Sequence, residues 1–141
     1  MRLELVTLAG VKLDKPVFEV ILPTVEGEIA VFPDHESLIT VAVPGAIAVR
    51  QNKEDSDDQM EYFAISGGVI EISSNLVRVL VDEADHSDEI VESDVKQALE
   101  RAREMRESAT SVVERDKAHQ LISRHTTQLK VADLRRRKRR G

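Results

Sequence analysis

Near residue 85 the hydrophobic pattern of this 141-residue chain changes period. Before that point apolar residues come in short β-branched runs closed by Pro, Gly or polar clusters; beyond it they recur at helical spacing. Strands repeat side-chain direction every second residue and helices about every 3.6, so one kind of element cannot bury both patterns. The pattern predicts a β-sandwich domain over 1–85 and a helical hairpin over 86–141.

In the first unit Leu3–Thr7, Val17–Leu22, Ile29–Phe32, Ser37–Val43, Ala46–Arg50, Glu61–Ile65, Val69–Ile72 and Leu76–Val81 read as strands. About eight short strands at ~8–12-residue spacing, with no helical stretch between them for a crossover, predict an antiparallel sandwich or barrel. Aromatic residues are only 3% of the chain, so its core must be built from Val, Ile, Leu and Ala. The polar stretch Gln51–Gln59 reads as a solvated hairpin tip. Its acids Glu54, Asp55, Asp57 and Asp58 miss the calcium-loop template, which needs a central Gly and a terminal bidentate Glu.

In the second unit Val95, Ala98, Leu99, Ala102, Met105 and Ala109 form one narrow apolar stripe, with Ser93 or Asp94 as expected N-cap. Ala118, Leu121, Ile122, His125, Leu129 and Ala132 form a second, with Asp116 near its start and Ser108–Val113 as connector. Two helices of ~20 residues joined by a short turn make an antiparallel hairpin. Its stripes are thin and Ala-rich, so the hairpin must dock on the β domain or on a partner, and an element held that weakly can change position.

The formal net charge of −6 is a sum of unlike parts: −10 over 1–85, −2 over 86–134, and +6 in the last seven residues. That tip reads Arg135-Arg136-Arg137-Lys138-Arg139-Arg140-Gly141. The run is a solvated, frayed tail or it meets carboxylates, since adjacent like charges on a helix repel. The longest nearly apolar stretch, Ile39–Val49, is broken by Pro44-Gly45 and is shorter than the ~20 residues that span a bilayer. With Glu4 where a signal core would begin, a soluble chain is expected, peripheral to a membrane only through a partner.

Chemistry-bearing constellations are missing. The absence of cysteine excludes disulfides, thiolate nucleophiles and Cys-ligated metals. His35, His86, His119 and His125 do not form a metal-binding spacing, Ser66-Gly67-Gly68 lacks the first Gly of a nucleophile elbow, and no phosphate-cradling Gly motif occurs. Glu26 and Glu28, two apart, would share a strand face as solvated acids. His35, after Pro33-Asp34, is either a turn histidine bonded locally or a partner contact. The chain reads as a binding or coupling protein rather than an enzyme, with no catalytic residues, metal or cofactor.

The stretch Glu26-Gly27-Glu28-Ile29-Ala30-Val31-Phe32-Pro33-Asp34-His35-Glu36-Ser37-Leu38-Ile39-Thr40, followed by Pro44-Gly45, Ser66-Gly67-Gly68-Val69-Ile70-Glu71-Ile72 and Val77–Ala84, resembles the epsilon-subunit family of F-type ATP synthases, called delta in mitochondria. The likeness extends through the hairpin to Gln128-Leu129-Lys130-Val131. The sequence departs from the family at Ala30 and Asp34, where Gly is usual, and at Ser37, where Pro is frequent. The resemblance implies a sandwich of about ten strands followed by two helices. It implies a non-catalytic central-stalk (rotor) role, coupling proton translocation to ATP synthesis. The partners implied are the gamma subunit, the c-subunit ring and, when the hairpin extends and inhibits ATP hydrolysis, the catalytic beta subunit. Carried over, Glu28 faces the c-ring, His35 faces gamma, and Arg135, Arg136, Arg137, Lys138, Arg139 and Arg140 grip the catalytic head. The implied location is peripheral, on the cytoplasmic face of a bacterial plasma membrane, or on a thylakoid membrane if plastid-encoded.

Some members bind ATP through Ile/Leu-Asp-x-x-Arg-Ala at the first helix. Alignment through Glu100-Arg101-Ala102 puts Val91 at the Asp and Asp94 at the Arg position; starting from Ser93-Asp94 instead puts Gln97 at the Arg. Either way the phosphate-binding cation is missing, and weak or no ATP binding is expected. The alternative reading is a small sandwich adaptor whose basic tail binds nucleic acid or an anionic membrane surface. The absence of an aromatic within that tail counts against base stacking.

Overall fold

The computed structural model describes residues 1–138 together with the helical backbone of 139 and 140; the side chains of Arg139 and Arg140, and Gly141, lie outside the described residues. Ten strands precede two helices: β1 (Arg2–Thr7), β2 (Gly10–Pro16), β3 (Glu19–Thr24), β4 (Gly27–Val31), β5 (Leu38–Ala42), β6 (Gly45–Arg50), β7 (Glu61–Ile65), β8 (Gly68–Ser73), β9 (Leu76–Val81), β10 (Ala84–His86), α1 (Glu92–Ser108) and α2 (Val112–Arg140). Two of the ten, β2 and β10, are not among the apolar runs of the sequence. β2 is an edge strand whose Lys12, Asp14 and Lys15 mask the alternation, and β10 has only three residues.

The strands make one folded-over sheet in the order β10-β7-β6-β3-β5-β8-β9-β1-β2, with β4 added on β3. β3 joins the two layers. Its Val20 and Ile21 pair with Val49 and Ala48 of β6, while Thr24 pairs with Ala42 of β5. The strand continues through Pro23, where the sequence suggested a stop. Proline has no N–H for the ladder and suits the place where a strand changes partners; its carbonyl accepts from Val43 N–H (3.1 Å). β1 and β9 pair in parallel, a departure from the all-antiparallel expectation; the other strand pairs are antiparallel. Between the layers Leu3, Leu5, Val20, Leu22, Val31, Ile47, Val49, Phe63, Ile70, Val77 and Val79 are almost wholly buried, an aliphatic core with one aromatic.

Glycine matters at two positions. Gly27 has φ +113° and turns β3 into β4, a conformation that costs other residues steric strain. Gly68 serves a different need: an added Cβ would lie 2.0 Å from the Leu80 carbonyl oxygen, so close strand packing requires its bare backbone.

The helices begin earlier than expected. α1 starts after Val91, whose carbonyl accepts from Val95 N–H (3.0 Å); Ser93 and Asp94 lie inside its first turn, where Glu92 and Asp94 complement the helix dipole. α2 starts at Val112, within the expected connector. Glu114 N–H donates to Ser111 Oγ (3.1 Å), and the Glu114 carboxylate accepts from Thr110 N–H (2.9 Å). The Ser-x-x-Glu pattern at 111–114 was the signal for that start. The helices have 17 and 29 residues, and the basic tip continues α2 rather than forming a frayed tail.

Candidate functional site: the hairpin interface

α1 packs on α2, and α2 lies on the outer face of β6 and β7. That outer face consists of Ala46, Ala48, Tyr62 and Ala64, whose small side chains let a helix approach closely; Ala46 stands opposite Ala64, and Ala48 opposite Tyr62. Val131, fully buried, sits on it with Leu134 beside it. Neither residue belongs to the apolar stripe read from α2. The helix therefore buries two sets of side chains, Ala118 and Ala132 on its apolar stripe and Val131 against the sheet. The missed signal was in the strands: Gly-Ala-Ile-Ala-Val and Tyr-Phe-Ala-Ile are apolar at every position, the mark of a layer covered on both sides.

Polar contacts frame this seam. Gln128, buried, donates from Nε2 to Asp85 Oδ2 (3.0 Å), and its Oε1 lies 2.8 Å from His125 Nδ1. Arg124 Nη2 donates to Asp85 Oδ1 (3.4 Å), and Arg124 Nε is 3.0 Å from Glu83 Oε2. Toward the N-terminal part of α2 the fit opens into a cleft of about 470 Å3 lined in part by Pro44, Ser66, Lys117, Leu121 and Arg124. At the junction, His86 Nδ1 accepts from Asp88 N–H (3.0 Å), which leaves Nε2 to donate to Glu61 (3.2 Å); the ring packs edge-on against Phe63 at 4.9 Å. Glu61 also pairs with Lys15. Burial pushes the Glu61 carboxyl up, but Lys15 and His86 outweigh it and hold it below its ordinary value.

The basic tip rests on the chain's own acids. Arg135 Nη2 lies 2.5 Å from Asp88, Arg136 Nη1 2.6 Å from Glu92, and Lys138 Nζ 3.5 Å from Asp57. Arg137 pairs with Asp133 within the helix (3.0 Å). The expected assignments of Arg139 and Arg140 lie outside the described side chains. The loop 51–60 is organised by Arg50, whose guanidinium bonds Glu19 (2.9 Å), the Asp55 carbonyl (2.6 Å) and Asp57 (2.6 Å). Among the described residues no group of three or more His, Asp or Glu is placed to hold a metal ion.

The remaining candidates are spread over the sandwich. Glu28 is the second residue of β4, just past the turn, opposite Pro23; Glu26 stays in the turn, so the two acids do not share a strand face. His35 is exposed in the loop between β4 and β5, with Nδ1 2.7 Å from the Glu36 carbonyl. Glu28 thus stands at the start of β4, and His35 in the loop beyond its other end. Val91 caps α1 and Asp94 is exposed on its first turn. On the layer away from the helices, Val41, Val69, Leu80, Val6 and Val11 stand opposite one another across β5, β8, β9, β1 and β2. All but the half-buried Val6 are exposed. A neighbouring row is charged, with Arg78 Nε 3.0 Å from Glu4 and Nη1 3.8 Å from Glu71.

The structure is a β-sandwich with an exposed apolar row, carrying a helical hairpin docked through a thin and partly ionic seam. The comparisons with known proteins make this specific. The family model of the ATP synthase delta/epsilon chain, β-sandwich domain, matches residues 1–87. The chain is 38% identical over 136 residues to the ATP synthase epsilon chain of Herpetosiphon aurantiacus, spanning 96% of each. It is 33% identical over 118 residues to that of Neisseria meningitidis, covering 81% of this chain and 79% of the relative. A chain of the Euglena gracilis mitochondrial ATP synthase (OSCP/F1/c-ring) superposes with TM-score 0.74 at 25% identity, over 92% of this chain and 79% of the other. The chain belongs to the ATP synthase delta/epsilon family, and its fold is that family's β-sandwich followed by two C-terminal helices.

Proposed function

We propose that the chain is a non-catalytic central-stalk subunit of an F-type ATP synthase, a rotor element coupling proton translocation to ATP synthesis, whose hairpin restrains ATP hydrolysis. The observation that carries this reading is the match over 96% of an ATP synthase epsilon chain, which takes in sandwich and hairpin together. The placement of candidate residues agrees with it. Glu28, at the start of β4, and His35, in the loop past its other end, can face different neighbours, the c-ring for Glu28 and gamma for His35. The exposed Val41–Val69–Leu80 row adds an apolar surface for a stalk partner. The subunit would lie at the membrane surface through its complex; no described helix is long and apolar enough to cross a membrane.

In the inhibitory state the hairpin extends, and Arg135, Arg136, Arg137, Lys138, Arg139 and Arg140 meet carboxylates of the catalytic beta subunit. Clustered guanidinium groups bind carboxylates bidentately and steer docking. Removing residues 135–141 from the assembled enzyme is expected to raise ATP hydrolysis and flatten its salt dependence. Unchanged hydrolysis with unchanged salt dependence would refute the grip.

A further inference from the structure

We propose that Asp57, Asp88 and Glu92 form an electrostatic latch that keeps the hairpin docked by occupying the cations the extended hairpin would present to the catalytic head; the link to the head rests on the inhibitory reading above. The three acids come from three separate places: the loop between β6 and β7, the turn after β10, and the first turn of α1. They converge on little more than one turn of α2. Arg135 and Lys138, three residues apart, share the face toward the sandwich and take Asp88 and Asp57; Arg136 turns toward α1 and takes Glu92. Arg135 Nη1 also reaches the Ser87 carbonyl (3.4 Å).

The acceptor side is arranged in advance. Arg50, anchored by the buried Glu19, holds Asp57 by a hydrogen bond, so the carboxylate is in place before Lys138 arrives. The Arg50 hydrogen bond and the Lys138 charge both keep the Asp57 carboxyl ionised, below its ordinary range. The latch is also built to open. Its side chains are all partly exposed, from 28% for Arg135 to 61% for Asp57, and a cavity of about 190 Å3 remains beneath the tip between Tyr62, His86, Arg135 and Lys138. Exposed pairs are individually weak and screened by salt. Because Val131 is, among the described residues, the one large α2 side chain fully buried against the sheet, these pairs are a sizeable share of what holds the tip down. Cations engaged with Asp57, Asp88 and Glu92 cannot engage another acidic surface, so the latch sets how much of the hairpin is free to extend.

The chain has no cysteine, so Lys53→Cys and Thr126→Cys in the full-length protein place two unique spin labels, one on the acidic loop and one on α2. Pulsed dipolar spectroscopy then reads the ratio of detached to docked hairpin. Raising salt from about 50 to about 500 mM should increase that ratio. Asp57→Asn with Asp88→Asn should raise it about fivefold at low salt, whereas Glu104→Gln, on the exposed side of α1, should not. An unchanged ratio in the Asp57/Asp88 double variant would overturn the latch. In the reconstituted complex the same double variant should hydrolyse ATP more slowly, because more tips are free to insert. A shifted ratio with unaltered hydrolysis would keep the latch and sink the inhibitory reading instead.

Discussion

Asp34 and Asn75 grip each other across 41 residues: Asp34 N–H donates to Asn75 Oδ1 (2.6 Å), and Asn75 Nδ2 donates to Asp34 Oδ1 (3.1 Å). Both residues have positive φ, +67° and +62°. This accounts for an acid where the family usually has Gly. Asp and Asn tolerate the left-handed region better than other non-glycine residues, and here each side chain also holds the other's loop. The pair ties the loop bearing His35 to the β8–β9 turn.

Asn75→Ala should therefore be worse than Asn75→Gly. Both lose the paired hydrogen bonds, worth about 1 kcal/mol each, but only Ala adds left-handed strain of about 1 kcal/mol. Chemical denaturation of the three proteins gives the order; equal stability of the Ala and Gly variants would show that φ is not the constraint.

Val131→Ala probes docking separately from the sandwich core. It removes two buried methyl groups, about 1.5 kcal/mol of apolar burial, at a site outside the main core cluster. Hydrogen exchange in α2 should speed up roughly tenfold while amides of β8 and β9 keep their protection. Loss of protection in β8 and β9 as well would mean that hairpin and sandwich unfold as one unit.

Glu61 supplies a pH test. Its folded-state pKa is depressed, so its pairing with Lys15 stabilises the fold fully above the ordinary carboxylate value of about 4.3, and that stabilisation is lost as pH falls through the folded value. The melting-temperature gap between the native chain and Glu61→Gln should be present at neutral pH and close below about pH 4. A gap that widens in acid would reverse the assigned sign.

ATP is expected to bind weakly or not at all. In one alignment with the binding motif Val91 and Asp94 stand at the acid and the cation, and in the other Gln97 stands at the cation; in either case the cation is lost, and the exposed Asp94 would repel phosphate. Titration calorimetry of the full chain should show no micromolar binding; a micromolar isotherm would refute the expectation.

Sequence periodicity was enough for a β-sandwich followed by two helices, and for the strands β7 and β9 to the residue, because these depend on local alternation and composition. The edge strand β2 stayed hidden, since an edge exposed to solvent need not keep an apolar face. The parallel pairing of β1 with β9, the passage of β3 from one layer to the other, and the burial of Val131 against the sheet were also beyond it. These arise between residues far apart in the chain, and local pattern carries no register for such pairs. The same holds for the basic tip. Its +6 charge is legible from composition, yet only the folded chain brings Asp57, Asp88 and Glu92 to meet it. Charge is a property of the sequence, whereas which opposite charge lies within reach is decided by how the sheet and hairpin pack.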